Sequence, residues 1–219
     1  MRILIMLLLG IVGCISSNAQ NILHDPVTGR IFSSEKYSGY KGSAFLFDEW
    51  IKGSAKTMRG TYRDLELKFD AYSNTLFFRK DDEPYEFQDK IVGFTLMRRA
   101  GDSSSYVTYR NGLTGNGIKA NQFVQVLTEG KVSLYRSDLK LLSDVNQINE
   151  GVIKTFTTST RYFLLKDDLL HPVKLGKKDL YEFMKDKESQ LESYSVENKL
   201  SPKKEADLVR LVAYYNQLN

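Results

Sequence analysis

Residues 64–70 (DLELKFD) alternate strictly between charged and apolar side chains, and this alternation restricts the fold more than any other feature of the chain. Leu65, Leu67 and Phe69 fall on one face, whereas the four charged residues fall on the other. Side chains of a β-strand point alternately to the two faces of a sheet, so a period of two predicts a strand that is buried on one side only. The segment is therefore assigned to a sheet with one face toward a core and one toward solvent.

Short segments of similar character recur along the chain between turn-forming residues. Residues 129–130 (Glu-Gly) predict a two-residue hairpin turn, and the acidic runs 81–83 and 167–168 are interpreted as solvated hairpin tips. Residues 138–150 are mixed in pattern and are interpreted as an insertion. Short strands at such short intervals indicate an antiparallel meander. The candidate strands are 64–70, 74–80, 85–88, 91–98, 105–110, 122–128, 131–136, 155–159, 161–166 and 171–175.

From residue 177 onward the apolar residues fall at helical rather than strand spacing. Ser201 and Pro202 are typical of a helix start, because Ser caps free amides and Pro is tolerated in the first turn. The apolar stripe that follows predicts an amphipathic helix, the last of two or three short ones. These helices need a surface to cover, and the simplest is the exposed face or open end of the sheet. The stripe consists of Leu208, Leu211, Val212, Tyr215 and Leu218.

Together these patterns predict an α+β fold that is mainly antiparallel β. We expect a curved sheet or incomplete barrel of about eight to ten short strands, with two or three C-terminal helices packed on it. The expected organisation is a signal peptide over residues 1–19, an extended leader over 20–40, an antiparallel β domain over 41–176 and a helical segment over 177–219.

The first nineteen residues have the composition of a secretory signal peptide. Arg2 supplies a positive start to the apolar run of residues 3–12 (ILIMLLLGIV). Small residues at Ser17 and Ala19 then mark a cleavage site. The run is too short to cross a membrane as a mature helix, so we expect an exported protein that is periplasmic or secreted.

The same leader contains residues 11–14 (IVGC), which have the form of a bacterial lipobox. Lipidation of Cys14 would tether the mature chain to a membrane and would allow association with the outer membrane. Cleavage after Ala19 would instead remove Cys14, the only cysteine of the chain. The short stretch before Cys14 and the well-formed cleavage site favour simple secretion, and both alternatives stay open.

Composition argues against several classes of function. The chain carries 31 Lys and Arg against 27 Asp and Glu, and this near balance gives no argument for nucleic-acid binding. After cleavage at Ala19 no cysteine remains, which excludes thiol catalysis and a cysteine-ligated metal. His24 and His171 lack the spacing of a zinc site, and no carboxylate pair or nucleophile motif stands out. We therefore expect no metal, no cofactor and no catalytic residue.

The segment around the only tryptophan is the first candidate to test as a binding surface. Phe47, Asp48 and Trp50 lie close together in the sequence, and an exposed Trp there could contact a protein partner. The alternative is that Trp50 is a buried plug at the base of the sheet. This structural role is favoured, because large aromatic side chains mostly serve cores.

Two segments of the chain resemble known sequences. Residues 42–78 begin with GSAFLFDEWIKG, which fits the motif G-S-x-[FY]-L-x-D-[DE]-W-x-x-G, and residues 197–218 (ENKLSPKKEADLVRLVAYYNQL) form a Lys-rich helical end. Together they resemble an uncharacterised family of secreted or envelope proteins from Bacteroidetes-type Gram-negative bacteria. The resemblance implies an exported location and a β-rich body with a helical end, and it implies no activity.

The leading hypothesis is an exported, non-catalytic cell-envelope or secreted protein that binds either an envelope protein or a small apolar ligand in the concavity of the sheet. The missing catalytic motif, the curved-sheet pattern and the separate helical tail favour it. The alternative is a periplasmic hydrolase that uses acidic residues. A third hypothesis is a lipid carrier with a cavity for an acyl chain. In each case, contact with a membrane would depend on lipidation of Cys14.

Metabolic labelling with a palmitate analogue tests the anchor directly. If the leader is cleaved after Ala19, the mature chain will carry no label, and Cys14→Ser will change neither its size nor its location. Simple secretion is contradicted if the wild-type chain is labelled and Cys14→Ser loses both the label and membrane association.

Overall fold

The computed structural model describes residues 34–99, 102, 105–147 and 151–218. Residues 1–33, with Cys14 and His24, lie outside this description. The described chain forms an antiparallel sheet followed by three helices, which confirms the predicted α+β class. The strands are β1 (Ile51–Thr57), β2 (Thr61–Asp70), β3 (Thr75–Lys80), β4 (Glu83–Glu86), β5 (Ile91–Met97), β6 (Tyr106–Arg110), β7 (Val124–Thr128), β8 (Ser133–Gln147), β9 (Gly151–Lys166) and β10 (Leu169–Val173). The helices are α1 (Lys177–Phe183), α2 (Glu188–Glu197) and α3 (Glu205–Gln217), with 3-10 turns at Ser34–Tyr37 and Lys185–Lys187.

The ten strands form one open sheet with the order β10-β9-β8-β7-β6-β5-β1-β2-β3-β4. Every adjacent pair is antiparallel. The chain therefore makes two meanders that meet where β5 pairs with β1, and β4 and β10 are the edge strands. The expected curved, unclosed sheet is confirmed, but β8 and β9 are not short, because they contain 15 and 16 residues.

The insertion expected at residues 138–150 was wrong, because most of this segment belongs to the two longest strands. β8 and β9 pair over fifteen consecutive positions, from Ser133 opposite Leu165 to Gln147 opposite Gly151. The adjacent Leu141 and Leu142 interrupt the period of two in the sequence. Continuous hydrogen bonding to β9 holds the strand extended through that irregularity.

Two of the three predicted hairpin turns occur in the structure. Asp81–Asp82 joins β3 to β4 and Asp167–Asp168 joins β9 to β10, each with positive φ at both turn positions. The two-residue turn expected at 129–130 was wrong, because the loop extends through Val132. The Val132 backbone is bound by α3 instead of β7: its N–H donates to the Asn216 side chain and its carbonyl accepts from that amide, both at 2.8 Å.

The register aligns one row of residues across seven strands on a single face of the sheet, which we call the inner face. Each residue of the row lies directly opposite the next, from β1 through β5 to β10. Because direct partners point to the same side, the row shows which side chains share that face. Its members are Ala55, Phe94, Tyr109, Gln125, Arg136, Tyr162 and Val173.

Two apolar clusters bury the ends of this row. Strands of both meanders enclose one, in which Phe94 and Tyr109 stack with ring centroids 4.7 Å apart. The helices enclose the other, in which Leu134 and Leu164 of the sheet are fully buried. Removal of these apolar side chains from water is the main stabilising term. The helices contribute Leu180, Met184, Leu191, Leu208, Leu211, Val212 and Tyr215.

Four residues of the predicted stripe belong to this helical cluster, namely Leu208, Leu211, Val212 and Tyr215. The fifth, Leu218, lies beyond the end of α3, and the helix begins later than expected. A turn precedes it, in which the Lys204 N–H donates to the Ser201 carbonyl at 2.8 Å, and the helix starts at Glu205. The Asp207 carboxylate accepts a hydrogen bond from the Ser201 N–H at 3.0 Å, so this residue fixes the entry to the helix.

Two glycines of the segment GSAFLFDEWIKG are required by close backbone contacts. Gly42 has a φ of 77°, and a Cβ there would lie 2.8 Å from the carbonyl oxygen of Phe156 on β9. A Cβ at Gly53 in β1 would overlap the carbonyl oxygen of Thr95 on β5. The segment thus encodes two close approaches between distant parts of the sheet, one at each of its ends.

We predict that Gly53→Ala lowers the free energy of unfolding by about 3 kcal/mol or more, because the Thr95 backbone cannot move without breaking the β1–β5 ladder. Gly112→Ala is the matched control. It has positive φ but no atom within 4 Å of the added carbon, and it should cost about 1 kcal/mol. Urea unfolding of both variants measures the difference, and equal losses would contradict the overlap.

Candidate functional site

The inner-face row is polar at its centre, where the two apolar clusters meet. Gln125 and Arg136 lie opposite each other on β7 and β8, with Tyr109 on one side and Tyr162 on the other. A guanidinium between two apolar clusters needs hydrogen-bonding partners, because burial of an unpaired charge is costly. Those partners come from β8 itself and from α3.

Two carboxylates neutralise Arg136. Its Nε lies 2.8 Å from Oδ2 of Asp138 on the same strand, and its Nη1 lies 3.0 Å from Oε2 of Glu205, the first residue of α3. The Asp138 side chain is only 5% exposed. Burial alone would lower the pKa of Arg136, but the charges of Asp138 and Glu205 outweigh it and raise the pKa. This charged contact ties the last helix to the middle of the sheet.

Two hydroxyl groups from β9 complete the arrangement. The Tyr162 hydroxyl donates to Oε2 of Glu205 at 2.7 Å, and the Thr160 hydroxyl donates to Oδ1 of Asp138 at 2.6 Å. Burial and the hydrogen bond to Glu205 raise the pKa of Tyr162 to about 12. We call Arg136, Asp138, Thr160, Tyr162 and Glu205 the seam network, because they occupy the seam between the two clusters.

A cavity of about 290 Å³ lies beside the seam network. Its wall carries Arg98 and Lys140, and within the described ranges neither has a carboxylate at ion-pair distance. The Arg98 guanidinium lies over the ring of Phe47, 5.2 Å from its centroid. The wall is therefore polar and positively charged. Leu46, Val107, Tyr109, Gln125 and Thr158 also line the cavity.

The structure separates the three residues of the predicted binding surface. Phe47 lines the cavity beneath Arg98. Asp48 is exposed, and its carbonyl accepts a hydrogen bond from Nζ of Lys68 at 2.5 Å. Trp50 lies near Lys68 on the other face of the sheet. The three side chains therefore do not form one continuous surface.

Cations, rather than a core, cover the ring of Trp50. Nζ of Lys68 lies 5.8 Å from its centroid and the guanidinium of Arg79 lies 5.6 Å from it. The ring is half-buried and belongs to none of the apolar clusters of the described chain. Burial lowers the pKa of Lys68. The favoured expectation of a buried plug is therefore not met.

The outer half of the β8–β9 hairpin extends beyond the neighbouring strands. β7 pairs with β8 only as far as Arg136, and β10 pairs with β9 only from Tyr162 onward. We call residues 141–147 and 151–157 the ribbon. In the part of the chain that the structure describes, its strand edges meet other backbone only at one bridge, between Lys41 and Thr155.

One face of the ribbon is held by an aromatic cluster. Phe156 is buried among Tyr37, Tyr40 and Tyr72, with ring centroids 5.2 to 5.8 Å apart. The Tyr37 hydroxyl donates to the fully buried Asp70 at the end of β2, at 2.6 Å, and burial together with this bond raises the pKa of Tyr37. The ribbon is thereby fixed to the first meander along one side.

The opposite face and the tip of the ribbon expose apolar side chains. Leu141 is 48% exposed and Val145 37% exposed on the face that points away from the aromatic cluster, and Val152 at the tip is 68% exposed. Sequence analysis missed this surface because the segment was interpreted as an insertion. The signal was present as apolar residues at Leu139, Leu141 and Val145, which keep a spacing of two or four.

His171, which the sequence analysis weighed as a metal ligand, packs against an aromatic ring. The ring of His171 contacts that of Phe183 edge-on, with centroids 4.9 Å apart. No group of three or more His, Cys, Asp and Glu within the described residues is placed to hold a metal ion. No described helix combines the length and the apolar character that crossing a membrane requires.

No protein-family model, curated protein or solved structure matches the chain. The argument for function therefore depends on three features of the molecule itself. They are the seam network, the cavity beside it and the ribbon.

The raised pKa of Tyr162 gives the seam network a measurable pH dependence. The unfolded chain loses this proton near pH 10, whereas the folded chain keeps it to about pH 12, so the stabilisation is complete below pH 10 and is lost between pH 10 and 12. Tyr162→Phe should therefore be less stable at pH 7 by about 1 kcal/mol, but should lose less stability than the wild type between pH 10 and 12.

Urea unfolding at pH 7.5, 10 and 11.5 checks this prediction. The matched control is Tyr106→Phe, because the ring of Tyr106 is 46% exposed. The same pH dependence in Tyr162→Phe and in the wild type would show that Tyr162 does not donate to Glu205.

Proposed function

We propose that this chain is an exported, non-catalytic protein of the bacterial cell envelope that binds a protein partner through the ribbon. The observation that carries the proposal is the exposure of Leu141, Val145 and Val152 on a two-stranded arm with largely unpaired edges. Proteins commonly bind extended partner segments by adding a strand to such an edge, with apolar side chains giving affinity. Soluble proteins otherwise tend to cover or charge such edges.

Side chains occupy the inner face of the sheet, and this favours a protein as the binding partner over a small apolar ligand or an acyl chain. In the apolar cluster enclosed by strands of both meanders, rings of Phe69, Phe94 and Phe123 contact one another at centroid distances of 5.1 to 5.7 Å. The cavity beside the seam network has a charged wall with Arg98 and Lys140. An apolar ligand needs a larger apolar space than this arrangement offers.

The bonding of the seam carboxylates supports binding rather than hydrolysis. A hydrolase with two acids requires one carboxyl that stays protonated and one that stays ionised. Asp138 and Glu205 instead share the guanidinium of Arg136, and each also accepts a hydrogen bond from a hydroxyl group. Both carboxylates are thus occupied in contacts that hold α3 against the sheet.

Export and envelope location are supported by the sequence. Residues 1–19 have the composition of a signal peptide, and residues 42–78 and 197–218 carry the resemblance to secreted Bacteroidetes-type proteins. The nearly balanced charge gives no support for a nucleic-acid partner.

Site-specific photo-crosslinking in the native host tests the proposed contact. A photoreactive phenylalanine analogue at Val145 or Val152 should give one discrete adduct with an envelope protein. The same analogue at Val196, which is 75% exposed on α2, is the matched control and should give none. The paired substitution Leu141→Ser and Val145→Ser, made in the chain with the analogue at Val152, should abolish the adduct while the far-ultraviolet circular dichroism spectrum is retained.

Two results would overturn the proposal. One is the absence of any adduct from ribbon positions when the protein is correctly exported. The other is an identical set of adducts from the ribbon and from Val196, because non-specific surface contacts would explain it.

A further inference from the structure

We propose that the cavity beside the seam network binds a small oxyanion, such as a carboxylate or phosphate group of a small molecule. The cavity and the ribbon are separate features, so this proposal goes beyond the proposed function and can succeed or fail without it. The argument rests on the charges in the cavity wall, on how they are held and on the size of the space.

The charges in the wall do not balance. Arg136, Arg98 and Lys140 bring three positive charges, whereas Asp138 and Glu205 bring two negative ones. Arg136 uses both carboxylates, at 2.8 and 3.0 Å. Arg98 and Lys140 are left facing one space without a carboxylate partner among the described residues. Lys140 is half-buried and Arg98 is exposed. Two cations that face one space repel each other, and an oxyanion between them would accept charge-assisted hydrogen bonds from both.

Other parts of the fold position the guanidinium of Arg98 and the backbone of Lys140. The Arg98 guanidinium lies over the ring of Phe47. Lys140 is on β8, where its own N–H donates to the carbonyl of Ala71 at 3.3 Å and its Cα partner is Thr158 on β9. Groups positioned before binding lose less conformational entropy when a ligand arrives.

Residues with neutral hydrogen-bond donors complete the wall. Gln125, Tyr109 and Thr158, which carry an amide and two hydroxyls, line the same space. Burial raises the pKa of Tyr109, so its hydroxyl stays protonated at physiological pH and is able to donate. α3 begins at Glu205 in the wall, which places the positive end of that helix dipole at the cavity as well.

The size of the cavity limits the ligand. A volume of about 290 Å³ is at the lower end of small-molecule sites and suits a ligand of a few to about a dozen heavy atoms. Inorganic phosphate and succinate both fit this limit and represent the two oxyanion classes. A lipid or a peptide chain does not.

Isothermal titration of the mature chain, residues 20–219, with sodium phosphate and with sodium succinate tests the site. Ionic strength is kept constant with sodium chloride, so that general salt effects cancel. We expect saturable binding of at least one probe, and the stronger of the two identifies phosphate or carboxylate as the recognised group.

Three variants locate the binding. Lys140→Gln and Arg98→Gln should each weaken binding by about tenfold or more, because each removes a charged donor to the anion. Lys56→Gln removes one exposed positive charge outside the cavity and should bind as the wild type does. Thermal unfolding in chloride alone, measured for each variant, separates loss of the site from loss of the fold.

The proposal is overturned if neither probe binds saturably to the folded wild-type chain. It is also overturned if Lys140→Gln and Arg98→Gln, both folded, bind the probe as tightly as Lys56→Gln does. In neither case would the ribbon proposal be affected, because its test reads a protein adduct and not an anion.

Discussion

The register of the β8–β9 hairpin is the constraint on which the rest of the structure depends. Its fifteen consecutive pairs place Leu134 and Leu164 under the helices and Arg136 beside Tyr162 in the seam, and they carry Phe156 to the aromatic cluster on the first meander. A slip of one residue would turn every one of these side chains to the opposite face. Both the helical layer and the first meander therefore take their position from this one ladder.

The seam network shows why a polar centre is retained on an otherwise apolar face. A purely apolar row would join the two clusters, but it would not fix where α3 begins relative to the sheet. The pair between Arg136 and Glu205 does this, and the hydroxyls of Tyr162 and Thr160 donate further hydrogen bonds to the carboxylates of Glu205 and Asp138. Satisfied polar groups of this kind specify one arrangement rather than adding much stability. A charged cavity lies next to this network, with Arg98 and Lys140 in its wall.

The parts of the fold that follow from local periodicity were predictable from the sequence, and the parts set by distant contacts were not. The strict alternation of DLELKFD and the stripe of α3 are local signals. Both elements are present with Leu67 and Leu211 buried, although α3 begins at Glu205 and not at Ser201. The predicted two-residue turn at 129–130 was wrong because Asn216, far away in sequence, binds the backbone of Val132.

The sequence did not predict the ribbon, because its strands are held by pairing across the hairpin rather than by a regular apolar pattern. The sequence also grouped Phe47 and Trp50 into one surface, because they are only three residues apart. In the structure their rings contact Arg98 and Arg79 on opposite faces of the sheet, since side chains alternate between faces where the chain enters a strand.

The central claim is that one hairpin has two roles, with an inner half that joins the two clusters and an outer half that is available to a partner. Native-state hydrogen exchange along β8 and β9 at increasing urea concentration tests it most directly. Amides of residues 133–139 and 160–166 should exchange only by global unfolding, so that their protection falls steeply with urea. Amides of residues 141–146 and 152–157 should exchange by local opening that is less protected and nearly independent of urea. Equal protection and equal urea dependence along the whole hairpin would contradict the division into two halves.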